Sequence, residues 1–177
     1  MSVELRYAPD RWNKDSKRRK ARNCYAYFLQ DLRNSDGSNL DSFPHPGAWA
    51  ALVKREHDKT LIVSKPYHCD ALQRAIFADN SSIEPIGRFQ TCAPGFYKGF
   101  AAIDPDKEDG DFHFYVENAK GVWSHKPGSL PVTLLDAKAN PIRDPLTAAR
   151  GRYTVACGYY CVPRNDYGET HSAAKPT

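Results

Sequence analysis

The chain predicts an α+β fold in which N-terminal helices pack on a mainly antiparallel sheet, and three observations predict it. Helical periodicity is confined to the first half, strand-like runs dominate the second half, and 177 residues suit one domain with one core. Helices followed by strands, without βαβ alternation, leave the antiparallel arrangement as the simplest.

Residues 1–22 are polar and basic and contain Pro9, and they read as an arm. Six cations, Lys14, Lys17, Arg18, Arg19, Lys20 and Arg22, lie close together just before Cys24 and read first as a solvated basic segment, and second as a surface that attracts an anionic partner such as nucleic acid, an anionic membrane or a wall polymer. The first firm element is a helix from about Cys24 to Arg33. Asn23 is its N-cap, Tyr25, Phe28, Leu29 and Leu32 form its apolar stripe, and Asn34 to Gly37 supply a stop. A rigid Pro-Gly loop, Ser42 to Gly47, leads to a short helix from Ala48 to Arg55 and an ambiguous run from Thr60 to Ser64. Asp70 is placed to cap a third helix, Ala71 to Asp79, with Leu72, Ala75 and Ile76 on its buried face.

Strands are expected at Gly99–Ile103, Phe112–Val116, Val122–His125, Val132–Leu135 and Tyr153–Val162. The single domain then spans 23–163, and 164–177 form a tail. No apolar run reaches the roughly 20 residues of a membrane helix. The N-terminus lacks the regions of a secretory signal, which predicts a cytoplasmic protein or export by a route without one. Five cysteines without a Cys-x-x-Cys motif imply neither a zinc ribbon nor a complete disulfide framework, and a reducing compartment is the simpler reading. On a continuous strand Cys157 and Cys161 are about 13 Å apart, too far to pair with each other.

The chemistry concentrates at Cys24, His113 and His125. A thiol in the first turn of a helix meets unpaired backbone N–H groups that favour thiolate. A hairpin from 112–116 to 122–125 turning at Gly121 pairs His113 with His125 in one register, with Tyr115 and Trp123 on their face and Phe112, Phe114 and Val122 on the other. Nucleophile, base and orienting group are then all present.

Asn-Cys at a helix start, followed downstream by His113-Phe-Tyr-Val, a turn and Val-Trp-Ser-His125, resembles the papain-like cysteine hydrolases, in the branch of NlpC-type cell-wall peptidases. The resemblance covers about a quarter of the chain. It implies Cys24 as nucleophile, His113 as general base and acid, His125 as the residue orienting His113, and Asn23, Tyr25 and Trp123 as substrate contacts. It also implies an NlpC-like fold, a peptidoglycan stem peptide as substrate and no cofactor. The chain departs from the family in having Asn23 where Asp is usual and bulky Tyr25 after the cysteine. A protein-directed protease or deamidase uses the same chemistry, and a nucleic-acid-binding module acting through the basic arm is the alternative of another class.

Other candidates are weaker. Zinc held by His113, His125 and a cysteine lacks an accompanying motif, and the acidic loop from Asp104 to Asp111 lacks calcium-loop spacing. No phosphate-binding glycine loop occurs. Arg143, Asp144, Arg150 and Arg152 are polar groups near the sheet, and the arginines suit a substrate carboxylate.

Overall fold

The computed structural model describes residues 5–14, 16–31, 45–53 and 62–164. Among the described residues five helices, α1 (Asp10–Asn13), α2 (Ser16–Ala21), α3 (Cys24–Phe28), α4 (Ala48–Val53) and α5 (Cys69–Asp79), precede five strands. The strands are β1 (Glu84–Ile86), β2 (Phe96–Asp104), β3 (Asp111–Asn118), β4 (Val122–His125) and β5 (Val155–Pro163), in the order β1-β5-β2-β3-β4 with every neighbour antiparallel. The mixed architecture with helices first is therefore as expected.

Strand alternation divides the core into two layers. Phe112, Phe114 and Val116 face the helices and pack with Tyr25, Phe28 and Tyr160, the rings of Phe28 and Phe114 lying 4.7 Å apart. Phe100, Tyr115, Trp123 and Tyr159 line the opposite face with Ile142, under the long connection between β4 and β5. Gly99 serves the first layer, because a side chain there would overlap the Phe28 ring.

Local chemistry explains where elements begin and end. Asn23 caps α3, accepting through Oδ1 from the N–H groups of Tyr25 and Ala26 at 3.1 Å each. The helix stops five residues later rather than at Arg33. Gln30 adopts φ 52°, and the N–H groups of Gln30 and Asp31 reach back to the carbonyls of Tyr27 and Ala26, a Schellman closure. The expected stripe residue Leu32, and the expected stop at Asn34 to Gly37, lie outside the described residues.

Other boundaries also moved. His68, not Asp70, stands at the N-cap of α5, and Asp70 lies in the first turn. Residues 62–64 are neither strand nor helix. Residues 132–135 make isolated bridges, Thr133 to His125 and Leu135 to Pro141, instead of a strand. The short β1 carries a proline, which argues against a strand in the sequence, and it takes the sheet-edge position that proline tolerates.

The segment expected to be an arm is packed. Trp12 is buried edge-on to Tyr27 at 4.9 Å, and Asn13 accepts from the N–H of Val132 at 2.9 Å. Lys126, fully buried, donates to the carbonyls of Arg19 (2.7 Å), Gly128 (2.7 Å) and Leu130 (3.1 Å), fastening the end of α2 to the loop after β4.

Four of the five cysteines pair and Cys24 stays free, which corrects the expectation of a reducing compartment. Cys69 joins Cys157 and Cys92 joins Cys161, so β5 is stapled to the start of α5 and to the loop before β2. Cys157 and Cys161 bond to distant partners rather than to each other. No described helix is long and apolar enough to cross a membrane.

Candidate functional site

The hairpin β3–β4 brings the two histidines together by a register two residues away from the expected one. Tyr115 pairs with His125, because Asn118 pairs with Val122 and a three-residue helical turn, Ala119–Gly121, closes the loop with Gly121 at φ 65°. A shift of two keeps every side chain on its face, so His113 and His125 become diagonal neighbours. Their Nε2 and Nδ1 atoms lie 2.6 Å apart.

Bond partners assign the protons. His125 Nε2 lies 2.9 Å from the Leu135 carbonyl, which can only accept, so Nε2 carries the hydrogen and Nδ1 the lone pair. His113 Nε2 must then donate to that lone pair, leaving Nδ1 of His113 as an unprotonated base. The ring is held between Tyr153, stacked at 4.7 Å, and the edge of Tyr115 at 4.9 Å. Tyr153 is fixed by its hydroxyl, which donates to Asp111 at 2.9 Å. Burial lowers the His113 pKa well below the ordinary histidine value and the neighbouring imidazole lowers it further. Burial also lowers His125, against the Leu135 carbonyl and Asp136.

Cys24 does begin α3, but the expected thiolate is not what its surroundings favour. The thiol is 4% exposed and donates to the Phe112 carbonyl at 3.7 Å. Its pKa is pushed up to about 12, first by burial and then by the Asp111 charge, against the N–H groups of Phe114, Tyr25 and Cys24 itself. A five-residue helix gives little dipole to offset that desolvation. The thiol rests against backbone on either side of His113, where β3 has no β4 partner because their pairing begins at Tyr115. It belongs to the helix-side cluster, however, whereas the His113 ring lies among Tyr115, Tyr153 and His125 across the sheet. No hydrogen bond between thiol and imidazole occurs in this arrangement among the described residues.

The three residues expected to contact substrate have interior duties. Asn23 is spent on capping α3, the buried Tyr25 hydroxyl donates to Asp79 at 2.6 Å, and Trp123 is buried against Tyr159. Two of the C-terminal arginines are similarly committed. Arg150 donates to the carbonyls of Pro145 and Leu146 at 2.7 Å each, and Arg152 pairs with Asp104 at 2.6 Å. Asp144 receives Arg88 at 2.7 Å and the Tyr159 hydroxyl at 2.5 Å. Among the described residues no three His, Cys, Asp or Glu side chains gather as a metal ligand set. The Asp111–Tyr153 pair beside His113 escaped the sequence reading, because 42 residues separate the partners and no spacing announces them.

The chain is 26% identical over 163 residues to insoluble matrix shell protein 1 of Ruditapes philippinarum, a match covering 87% of each chain. No family model and no solved structure matches.

Proposed function

We propose that the protein is a cysteine-dependent amide hydrolase that works in an oxidising compartment, with Cys24 as nucleophile, His113 as base and acid, and His125 as the positioning residue. The observation that carries the reading is the His113–His125 bond at 2.6 Å, anchored by Leu135, which leaves an oriented, neutral Nδ1 on His113. Cys24 is the one cysteine outside a disulfide, and it lies against the backbone flanking that histidine. Two disulfides favour an extracytoplasmic setting over the cytoplasm.

A thiol raised to about 12 beside a histidine lowered below its usual range does not form a standing ion pair. The chemistry is therefore general-base catalysis. In this reading Cys24 must leave the Phe112 carbonyl and pass around the edge of β3 that β4 leaves uncovered to reach Nδ1, which takes the proton as sulfur attacks the amide carbon. His113 passes that proton to the departing amine. It then takes one from water, whose oxygen displaces sulfur from the acyl group, and returns it to the thiol. The substrate class is a peptide amide, a peptidoglycan stem peptide among them by the resemblance described above.

The test incubates disulfide-intact protein with stem peptides and synthetic peptide amides and follows released amine by mass spectrometry. Turnover lost in Cys24→Ala and in His113→Ala, with unchanged circular dichroism, is the expected result. Equal turnover in either variant, or no turnover and no covalent trapping of Cys24 by peptide aldehydes, overturns the assignment.

A second reading has its own support. The likeness to an insoluble matrix shell protein runs through 87% of both chains, and a sealed, protonated thiol suits a non-catalytic, disulfide-braced matrix component. That reading predicts that the protein partitions with an insoluble extracellular matrix and that Cys24→Ala changes nothing there.

A further inference from the structure

Beside α5 lies a cavity of about 420 Å³, within the range of small-molecule sites. Its cause is visible in the helix: Ala71, Ala75 and Ala78 recur at i, i+4 and i+7 on one face, so that face of α5 itself sends no long side chain into the space. Val63 and Ala75 are buried and form an apolar floor, whereas Lys65, His68 and Arg74 are exposed at the rim.

The charge on that rim is one-sided, since none of the described residues that line the cavity carries a carboxylate. Lys65 donates to the Glu108 backbone carbonyl at 2.9 Å and has the Asp106 carboxylate in its vicinity, whereas Arg74 has no ion-pair partner among the described residues. The cavity also adjoins the first turn of α5, where the side chain at the N-cap position makes no capping bond. An apolar floor under a purely cationic rim suits a ligand that is apolar at one end and anionic at the other.

We propose that this cavity binds a small amphipathic anion, a monocarboxylate carried on a short aliphatic body, with the carboxylate at Arg74 and Lys65 and the aliphatic part over Val63 and Ala75. Arginine's planar fork matches the carboxylate, and the alanine stripe supplies room that a longer side chain would remove. The site is independent of the hydrolase reading, and its test needs no turnover.

The experiment is titration calorimetry on the full chain with hexanoate, against hexylammonium, 1-hexanol and inorganic phosphate as probes. Hexanoate is expected to bind in the millimolar range and the three other probes much more weakly. Arg74→Gln, at an exposed position, is expected to weaken hexanoate about tenfold. Ala78→Leu, also exposed, is expected to remove binding by filling the cavity, with circular dichroism confirming the fold of both variants. The proposal is overturned if hexanoate does not bind, if hexylammonium or phosphate binds as tightly, or if either substitution leaves hexanoate affinity unchanged.

Discussion

The two faces of β3 are built from alternate residues of one strand and do opposite work. On the helix side, Phe112, Phe114 and Val116 meet Tyr25, Phe28 and Tyr160 in an aromatic layer that includes the Cys24 thiol, turned to a carbonyl. One residue away along the same backbone, His113 is hydrogen-bonded to His125 and stacked on Tyr153, whose hydroxyl is bonded to Asp111, with Tyr115 packed edge-on. Apolar contact loses little by being non-directional, whereas a buried imidazole pair must have each polar atom placed. One side of the hairpin is thus held by apolar packing and the other by placed hydrogen bonds, and Cys24 belongs to the first.

The sharpest way to break that contrast is to remove the groups assigned to chemistry. In the hydrolase reading, Cys24→Ala and His113→Ala each lower turnover by at least about a thousandfold, and the melting temperature stays near wild type for Cys24→Ala. Amine release assays with thermal melts read both quantities. A variant that loses stability and retains turnover would merge the two faces into one structural core.

The helix-side face should respond in the opposite sense. Phe28→Ala removes a ring with no exposed surface that packs on Phe114, and it is expected to cost about 3–5 kcal/mol in urea unfolding. Removing the Cys69–Cys157 bond by paired alanine substitution is expected to cost about 2–4 kcal/mol, since it frees an 88-residue separation in the unfolded chain. Asn23→Ala, which removes the cap of α3, is expected to cost about 1 kcal/mol.

A smaller effect at neutral pH sharpens the picture of the histidine face. His113 and His125 have folded pKa values below the usual 6.5, so below that value the unfolded chain binds more protons than the folded one. Their contribution to stability is complete above about 6.5 and falls as the pH drops below it. Urea midpoints measured from pH 7.5 down to 5 should decline in the wild type and decline less in a His113→Gln, His125→Gln double variant.

Much of this was legible in the residues. Phe112 and Phe114 were expected on one face and Tyr115, Trp123 and the histidines on the other, because a period of two survives any even shift of register. Asn23 as a cap and Gly121 at positive φ followed from local chemistry. The early end of α3 did not, since a glutamine at the left-handed position carries no signal comparable to glycine. The packing of α1 and α2 was hidden for a different reason. Trp12, Asn13 and Lys126 hold them through contacts more than a hundred residues long for the last two, in a stretch whose composition reads as solvated.

The order of helices before strands, the side of the sheet on which the hairpin residues lie, and the proximity of two imidazoles can be read from the residues, because these depend on local periodicity and one short turn. Only the tertiary structure decided how the cysteines pair, which buried group each polar side chain serves, and whether a helix-start thiol is charged. Those outcomes depend on burial and on partners far away in the chain, and desolvation outweighs the helix start at Cys24, a balance no single residue carries in its name.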